Sequence, residues 1–299
     1  MLKRQIKRAI RDPFGLSRFI VKKFKEVLLW DYIYDSLPEP KVKKGYNSNP
    51  TIEHEIIGDL GKSKFEIVNF EIDVNDYYQY IKDANYVSFP YYCDAAKENF
   101  LQKSLQHYLA AKLLGLTRDD VYVDVACANS PASEIYHRLY GCKVYRQDLE
   151  FPEGIHGNVI GGNAGNMPLE DESVTKMALH CSFEHFEKNS DIEFIREANR
   201  VLCKGGKLCI VPLYLSNKYV VQTDPSILPF GGISFENDAI LYCAKGWGAR
   251  HARFYDVHHL IKRIRNNLNG FRLKIYVVQN GKEVTPSCYT KFIAVFEKI

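Results

Sequence analysis

The sequence lacks the signatures of a membrane-spanning, disulfide-stapled or metal-centred protein. No run approaches the roughly 18 apolar residues that cross a bilayer. Its eight cysteines, at 93, 127, 142, 181, 203, 209, 243 and 288, form no C-x-x-C pair, and most stand in apolar runs such as KLCIV at 207–211. That usage reads as reduced, buried thiols in a cytosolic chain, with no metal site expected. Arg11, Asp12, Pro13, Arg18 and Lys22 break up the start of the chain, which argues against a secretory signal. No G-x-G-x-x-G follows a strand pattern, which argues against a dinucleotide-binding oxidoreductase.

What is present is an ordinary globular composition with an uneven charge. The 299 residues are 46% hydrophobic and 25% charged, enough for one large domain or two small ones. The net charge is +4, but residues 1–26 carry nine Lys or Arg against Asp12 and Glu26. That segment is therefore +7 and the remainder −3, so the basic charge is local. A body without an extended basic face argues against nucleic acid as a partner. Leu2, Ile6, Ala9 and Ile10, then Leu16, Ile20, Phe24, Val27 and Leu28, recur at helical spacing opposite basic faces. Residues 1–35 thus read as a basic amphipathic extension that can rest on an anionic membrane surface or dock on a partner protein. Residues 36–50, with Pro38, Pro40, Gly45 and Pro50, read as a linker. The Tyr-rich stretch 76–94 fits no single element and reads as a lid or pocket wall.

From Lys97 the pattern alternates strand and helix, the mark of an α/β protein with a mostly parallel sheet. The spacing predicts a helix over 97–114 and strands at 121–125, 142–146, 174–179 and 207–213. It predicts further helices at 131–140 and 191–202. Residues 214–254 read as loop. A helix at 256–267 and two antiparallel strands at 271–278 and 290–296 close the chain.

Three strand ends gather candidate ligand-binding residues. In VDVACANSP at 123–131, a strand ends in small residues and enters a helix whose free N–H groups face outward. Asp148, 24 residues after Asp124, ends the next strand, where a carboxylate can accept both hydroxyls of a ribose. Asn163, Ala164 and Met167 follow, with an amide for an adenine edge and a thioether for its face.

These segments, in this order, resemble a class I S-adenosylmethionine (SAM)-dependent methyltransferase over residues 97–213 and on to 299. VDVACANSP stands at the Asp-opened glycine loop and Asp148 at the acidic end of the second strand. GNAGNMPLEDESV at 162–174 precedes the fourth strand, which runs to His180 and the Glu184-His185 pair. RVLCKGGKLCI at 200–210 and HARFYDVHHL at 251–260 complete the pattern. The resemblance implies a Rossmann-like, seven-stranded, mostly parallel sheet with an antiparallel C-terminal hairpin. The domains would then be an extension over 1–35, a linker and substrate-side lid region over 36–96, and the SAM-dependent domain over 97–299. The sequence departs from the family at the loop, where Ala126, Ala128 and Ser130 replace glycines, and at Asn163, which replaces an acid.

Carried over, the resemblance places Asp124 at the methionine amine and Ala126 and Ala128 along the methionine moiety. Ser130 completes the loop, Asp148 takes the ribose, and Asn163, Ala164 and Met167 take the adenine. His180 or Cys181 would face the sulfonium methyl. His180, His185 and His258 are the candidate bases. The expected activity is methyl transfer from SAM, with O-methylation of a small molecule or glycan in surface polysaccharide or secondary metabolite synthesis. The absence of a D/N-P-P-Y segment argues against an amine of DNA as the target. The competing classes are a non-catalytic methyltransferase-fold regulator, favoured by the altered loop, and an RNA methyltransferase, favoured only by the basic start.

Overall fold

The computed structural model describes residues 29–89, 100–230 and 233–299. Most of the basic segment expected over 1–35, and Tyr91 and Tyr92 of the Tyr-rich stretch, lie outside the described residues. The chain divides into two compact units, residues 1–48 with 218–254, and residues 49–217 with 255–299.

The larger unit is built on one eight-stranded sheet. Its strands are β2 (Glu66–Phe70), β3 (Val121–Val125), β4 (Lys143–His156), β5 (Val159–Gly161), β6 (Val174–His180), β7 (Leu202–Val211), β11 (Phe271–Val278) and β12 (Phe292–Lys298). The order is β2-β11-β12-β7-β6-β3-β4-β5. β12 runs antiparallel to both neighbours and every other pairing is parallel. The mostly parallel α/β sheet with its antiparallel C-terminal pair is as expected. β2 adds an eighth strand at the edge, in the parallel register Ile275↔Ile67.

Five helices flank this sheet: α1 (Pro50–Lys62), α2 (Val74–Ala84), α3 (Phe100–Leu114), α4 (Ala132–Tyr140) and α5 (Ser190–Val201). Local chemistry sets their ends. Asn49 caps α1 by accepting from the Ile52 amide at 3.0 Å, with Pro50 in the first turn. Gly141 closes α4 in the left-handed conformation. Leu105, Leu109 and Ala110 of α3 pack with Tyr77, Tyr136, Ala178, Cys209 and Val211 in one core. Side chains alternate along a strand, so Met177, Leu179, Leu208 and Ile210 face the other side of the sheet.

Three expectations need correcting. First, β4 does not stop at Arg146. It runs to His156, and its tail turns back to pair with β5 through a shifted register. Too few residues separate Asp148 from Asn163 for a helix, so the strand itself makes the return. Gly161 permits it, because a Cβ there would stand 1.8 Å from the Pro152 carbonyl oxygen. Second, the helix expected at 256–267 is a turn at Val257–His259, a π-helical stretch at Leu260–Ile264 and a 3-10 turn at Arg265–Asn267. Third, residues 214–254 are not all loop. They supply β8 (Val220–Thr223), β9 (Ile240–Cys243) and β10 (Ala252–Phe254), which join β1 (Lys41–Val42) in the order β1-β9-β8-β10. This four-stranded sheet belongs to the smaller unit, where Tyr46 packs on Tyr242 and Phe254.

One buried ion pair ties α5 to the chain that follows β10. Asp191 is fully buried and accepts from the Tyr255 hydroxyl at 2.6 Å and from Arg263 Nε at 2.8 Å. Asp191→Ala would strand the Arg263 cation, and removing one partner of such a pair costs about 3–5 kcal/mol. Denaturant unfolding followed by circular dichroism should show a loss of that size.

Candidate functional site

The candidate site lies at the carboxyl ends of β3, β4 and β6. The β3–β6 register pairs Asp124 with Ala178, which puts His180 one pleat further on, facing the same side. Asp124 is fully buried, and its Oδ1 lies 3.0 Å from His180 Nδ1. The other ring nitrogen, Nε2, is 3.2 Å from the Tyr136 hydroxyl, which donates to the His107 carbonyl at 2.6 Å. Both nitrogens of His180 are therefore held inside the fold. Asp124 Oδ2 is buried with no hydrogen-bond partner.

The loop after β3 turns through left-handed conformations at two alanines, with φ of +49° at Ala126 and +45° at Ala128. It keeps the path that glycines adopt without strain. Hydrogen bonds hold it there. The Ala126 amide donates to Gln147 Oε1 at 3.1 Å, and the Cys127 amide to the Gln147 carbonyl at 3.0 Å. The Ala128 amide donates to Asp148 Oδ2 at 2.7 Å, while Arg146 Nη2 donates to the Ala128 carbonyl at 2.9 Å. Gln147 also donates to the Gly162 carbonyl at 2.6 Å, joining this loop to the next. Sequence reasoning missed Gln147 and Arg146. The available signal was their place beside Asp148 at the end of a strand, where a side chain meets the neighbouring loop.

Ser130 serves the start of α4, its Oγ accepting from the Ala132 amide at 3.2 Å. Asp148 is buried, and its Oδ1 also accepts from the Glu150 amide at 3.0 Å. Asn163 is exposed, with Oδ1 turned to the Gly165 amide, and Ala164 beside it is buried. Met167 is 3% exposed, and its backbone is clasped by Glu197 and Arg200 of α5. It sits in the protein's own packing beside the buried Ala164. His185 is partly exposed, with Nε2 3.7 Å from Glu184 Oε1. His258 is exposed on its short turn, edge-on to His259.

Among the described tyrosines of the stretch expected as a lid or pocket wall, three of four are core. Tyr77, Tyr80 and Tyr86 are buried, whereas Tyr78 is exposed. The Tyr77 hydroxyl pairs with Ser104 at 2.8 Å, and that of Tyr86 with His107 Nδ1 at 2.8 Å. Beyond His180, the chain reaches Cys181 at φ +55°. Cys181 Sγ lies 3.3 Å from the Tyr214 hydroxyl and 3.8 Å from that of Tyr289.

Two tests follow from this geometry. A left-handed alanine costs about 1–2 kcal/mol, partly offset by the roughly 0.5–1 kcal/mol of chain entropy that glycine loses on folding. Ala126→Gly and Ala128→Gly should each raise unfolding stability by about 0.5–1 kcal/mol, measured in urea. The second concerns pH. His107 is fully buried, and burial, helped by the nearby His180, pushes it well below its ordinary value. The unfolded chain therefore takes up a proton near pH 6.5 that the native state refuses, so this contribution is whole above about pH 6.5 and is lost as pH falls. Unfolding midpoints should drop on acidification from pH 7 to 5, and less steeply in His107→Gln.

Residues 123–210 match the family model described as a methyltransferase domain. No curated protein matches the chain. Among solved structures, it is similar to 1,6-didemethyltoxoflavin-N1-methyltransferase of Burkholderia thailandensis. Identity there is 11%, over 77% of this chain and 93% of that one, with a TM-score of 0.47. It is also similar to a protein of Pyrococcus horikoshii at 16% identity, over 72% of this chain and 98% of that one, with a TM-score of 0.44. A third is geranyl diphosphate C-methyltransferase of Streptomyces coelicolor, at 14% identity over 70% and 83%, with a TM-score of 0.41. The family match spans β3 through most of β7, the part of the sheet that carries the loop, Asp148 and His180. The larger unit therefore has the class I SAM-dependent methyltransferase fold, whose cofactor is S-adenosylmethionine.

Proposed function

We propose that this protein transfers a methyl group from SAM to a small-molecule acceptor. The observation that carries the reading is the pair of carboxylates flanking the left-handed loop. Asp124 keeps one buried oxygen without a partner, and a buried acceptor left so is costly unless a ligand supplies the donor. The ammonium of the methionine moiety is such a donor. Asp148, just past the parallel pairing of β4 with β3, has spare lone pairs beyond its two amide contacts and suits ribose hydroxyls. Ala128 at the crest of the loop is exposed, so a ligand can approach the backbone between the two acids. Asn163 and Ala164 stand on the next loop, tied to this one through Gln147, and in this reading they take the adenine.

SAM supplies an electrophilic methyl on a sulfonium. The protein's share of the work is to align the incoming nucleophile and to exclude water. His180 acts in this reading as a positioning residue. It orients Asp124 and is itself fixed by Tyr136.

Calorimetric titration of the full chain with SAM and with S-adenosylhomocysteine tests the proposal. Micromolar binding of both is expected. Asp148→Asn leaves an acceptor for the Ala128 amide but removes the charge, and should weaken binding about tenfold, or about 1.4 kcal/mol. A folded wild-type protein that binds neither ligand would sink the reading.

A further inference from the structure

The two loops assigned to the cofactor meet through one side chain, Gln147 of β4, which is 1% exposed. Its Oε1 accepts from the Ala126 amide at 3.1 Å, and its carbonyl accepts from the Cys127 amide at 3.0 Å. Its Nε2 donates to the Gly162 carbonyl at 2.6 Å. Gly162 is held on its other side as well, its amide donating to the Asp148 carbonyl at 3.2 Å. Both residues that the Gln147 side chain grips have positive φ, +49° at Ala126 and +113° at Gly162.

These partners dictate the chemistry of position 147. Ala126 offers an N–H and needs an acceptor, whereas Gly162 offers a carbonyl and needs a donor. A primary amide supplies one of each at a fixed separation. Its orientation is set by the partners, with oxygen toward Ala126 and nitrogen toward Gly162. A carboxylate of the same length accepts at both ends and would set two oxygens face to face at the Gly162 carbonyl. An apolar chain of similar length satisfies neither partner. Asp148 cannot take this role, because its carboxylate is an acceptor and is engaged by the Ala128 and Glu150 amides. Arg146 reaches the Ala128 carbonyl, which lies within the first loop.

Building on the methyltransferase reading, we propose that Gln147 is a positioning residue for S-adenosylmethionine. Its amide locks the β3–α4 loop, which takes the methionine moiety, to the loop after β5, which takes the adenine. The cofactor then binds without having to order one loop against the other. The donor end is the discriminating half. An acceptor for Ala126 survives in a carboxylate, and a donor for Gly162 does not.

Calorimetric titration with S-adenosylhomocysteine, on the full chain and its Gln147→Glu and Gln147→Met variants at pH 8 and pH 5.5, tests this. Each affinity is read as a ratio to wild type at the same pH. Gln147→Met loses both bonds and should bind about tenfold more weakly at either pH. Gln147→Glu should be weaker by about tenfold or more at pH 8, where its ionised carboxyl opposes the Gly162 carbonyl. Burial raises the pKa of such a carboxyl, so at pH 5.5 it is protonated and donates as the amide does. Its affinity should return to within about threefold of wild type. Arg146 and Asp148 on β4, Asp124 and Cys127 on β3 and its loop, and Glu153 beside Gly162 surround the position, and β5 carries no titratable residue. Those groups are common to all three proteins, so their own titration cancels in the ratio. Wild-type affinity of Gln147→Glu at pH 8, wild-type affinity of Gln147→Met, or a loss in Gln147→Glu that persists at pH 5.5 would each overturn the assignment. Should a variant fail to fold, amide hydrogen exchange in the ligand-free wild type decides. The Ala126, Cys127 and Gly162 amides should already exchange slowly, and fast exchange that slows only when S-adenosylhomocysteine is added would overturn it. Failure of S-adenosylhomocysteine to bind the wild type would instead overturn the methyltransferase reading.

Discussion

A carboxylate with no access to water sits at the end of β3, and the architecture around the site is the means of keeping it there. Asp124 is fully buried, and an ionised group in that position must be matched from within. The partner is His180 on the adjacent strand, within reach because the β3–β6 register sets the two one pleat apart. His180 is fixed in turn by Tyr136 of α4, and Tyr136 by the His107 carbonyl of α3. The side chain of His107 then anchors Tyr86. One bonded series thus runs from the sheet through two helices to the segment that precedes them. Breaking any link leaves a buried polar group unmatched, at about 1–3 kcal/mol. The series satisfies one oxygen of Asp124 and leaves the other buried without a hydrogen-bond partner.

The turn beside Asp124 follows a similar logic. Two alanines hold a conformation that disfavours a Cβ, so sequence at the turn does not explain its shape. The shape comes from β4, whose Gln147 and Asp148 receive three successive loop amides and whose Arg146 caps the loop carbonyl. Glycine would make the turn easy. Here it is imposed, which makes the integrity of the neighbouring strand a condition for the pocket.

Much of this was legible in the sequence, because the large sheet is written in contiguous apolar runs of the right length. VYVDV, VTKMALH and FRLKIYVV each mark their own strand, and the helices between them carry cores at helical spacing. The smaller sheet was not legible. Its strands are two to four residues long, and β9 pairs with Lys41–Val42 nearly 200 positions away, so no local pattern announces it. The Tyr-rich stretch misled for a different reason. A tyrosine in a pocket wall and a tyrosine in a core look alike until the hydroxyl's partner is known, and Ser104 and His107 are those partners here.

The groups that follow β6 show why surroundings decide more than residue type. Cys181 directly follows β6, a place where a thiolate would read as a nucleophile. Burial pushes that thiol upward, with the Glu184 charge acting in the same direction, so the sulfur stays protonated near neutral pH. The hydroxyls of Tyr214 and Tyr289 are pushed up by the same causes and also stay neutral. None of the three can become a competing anion, and none has a charge to offer Glu184. Both tyrosine hydroxyls lie against the Cys181 sulfur, and Tyr289 also takes its bond from Gln106. Lys103, beside the Cys181 thiol, sets a cation against these neutral groups.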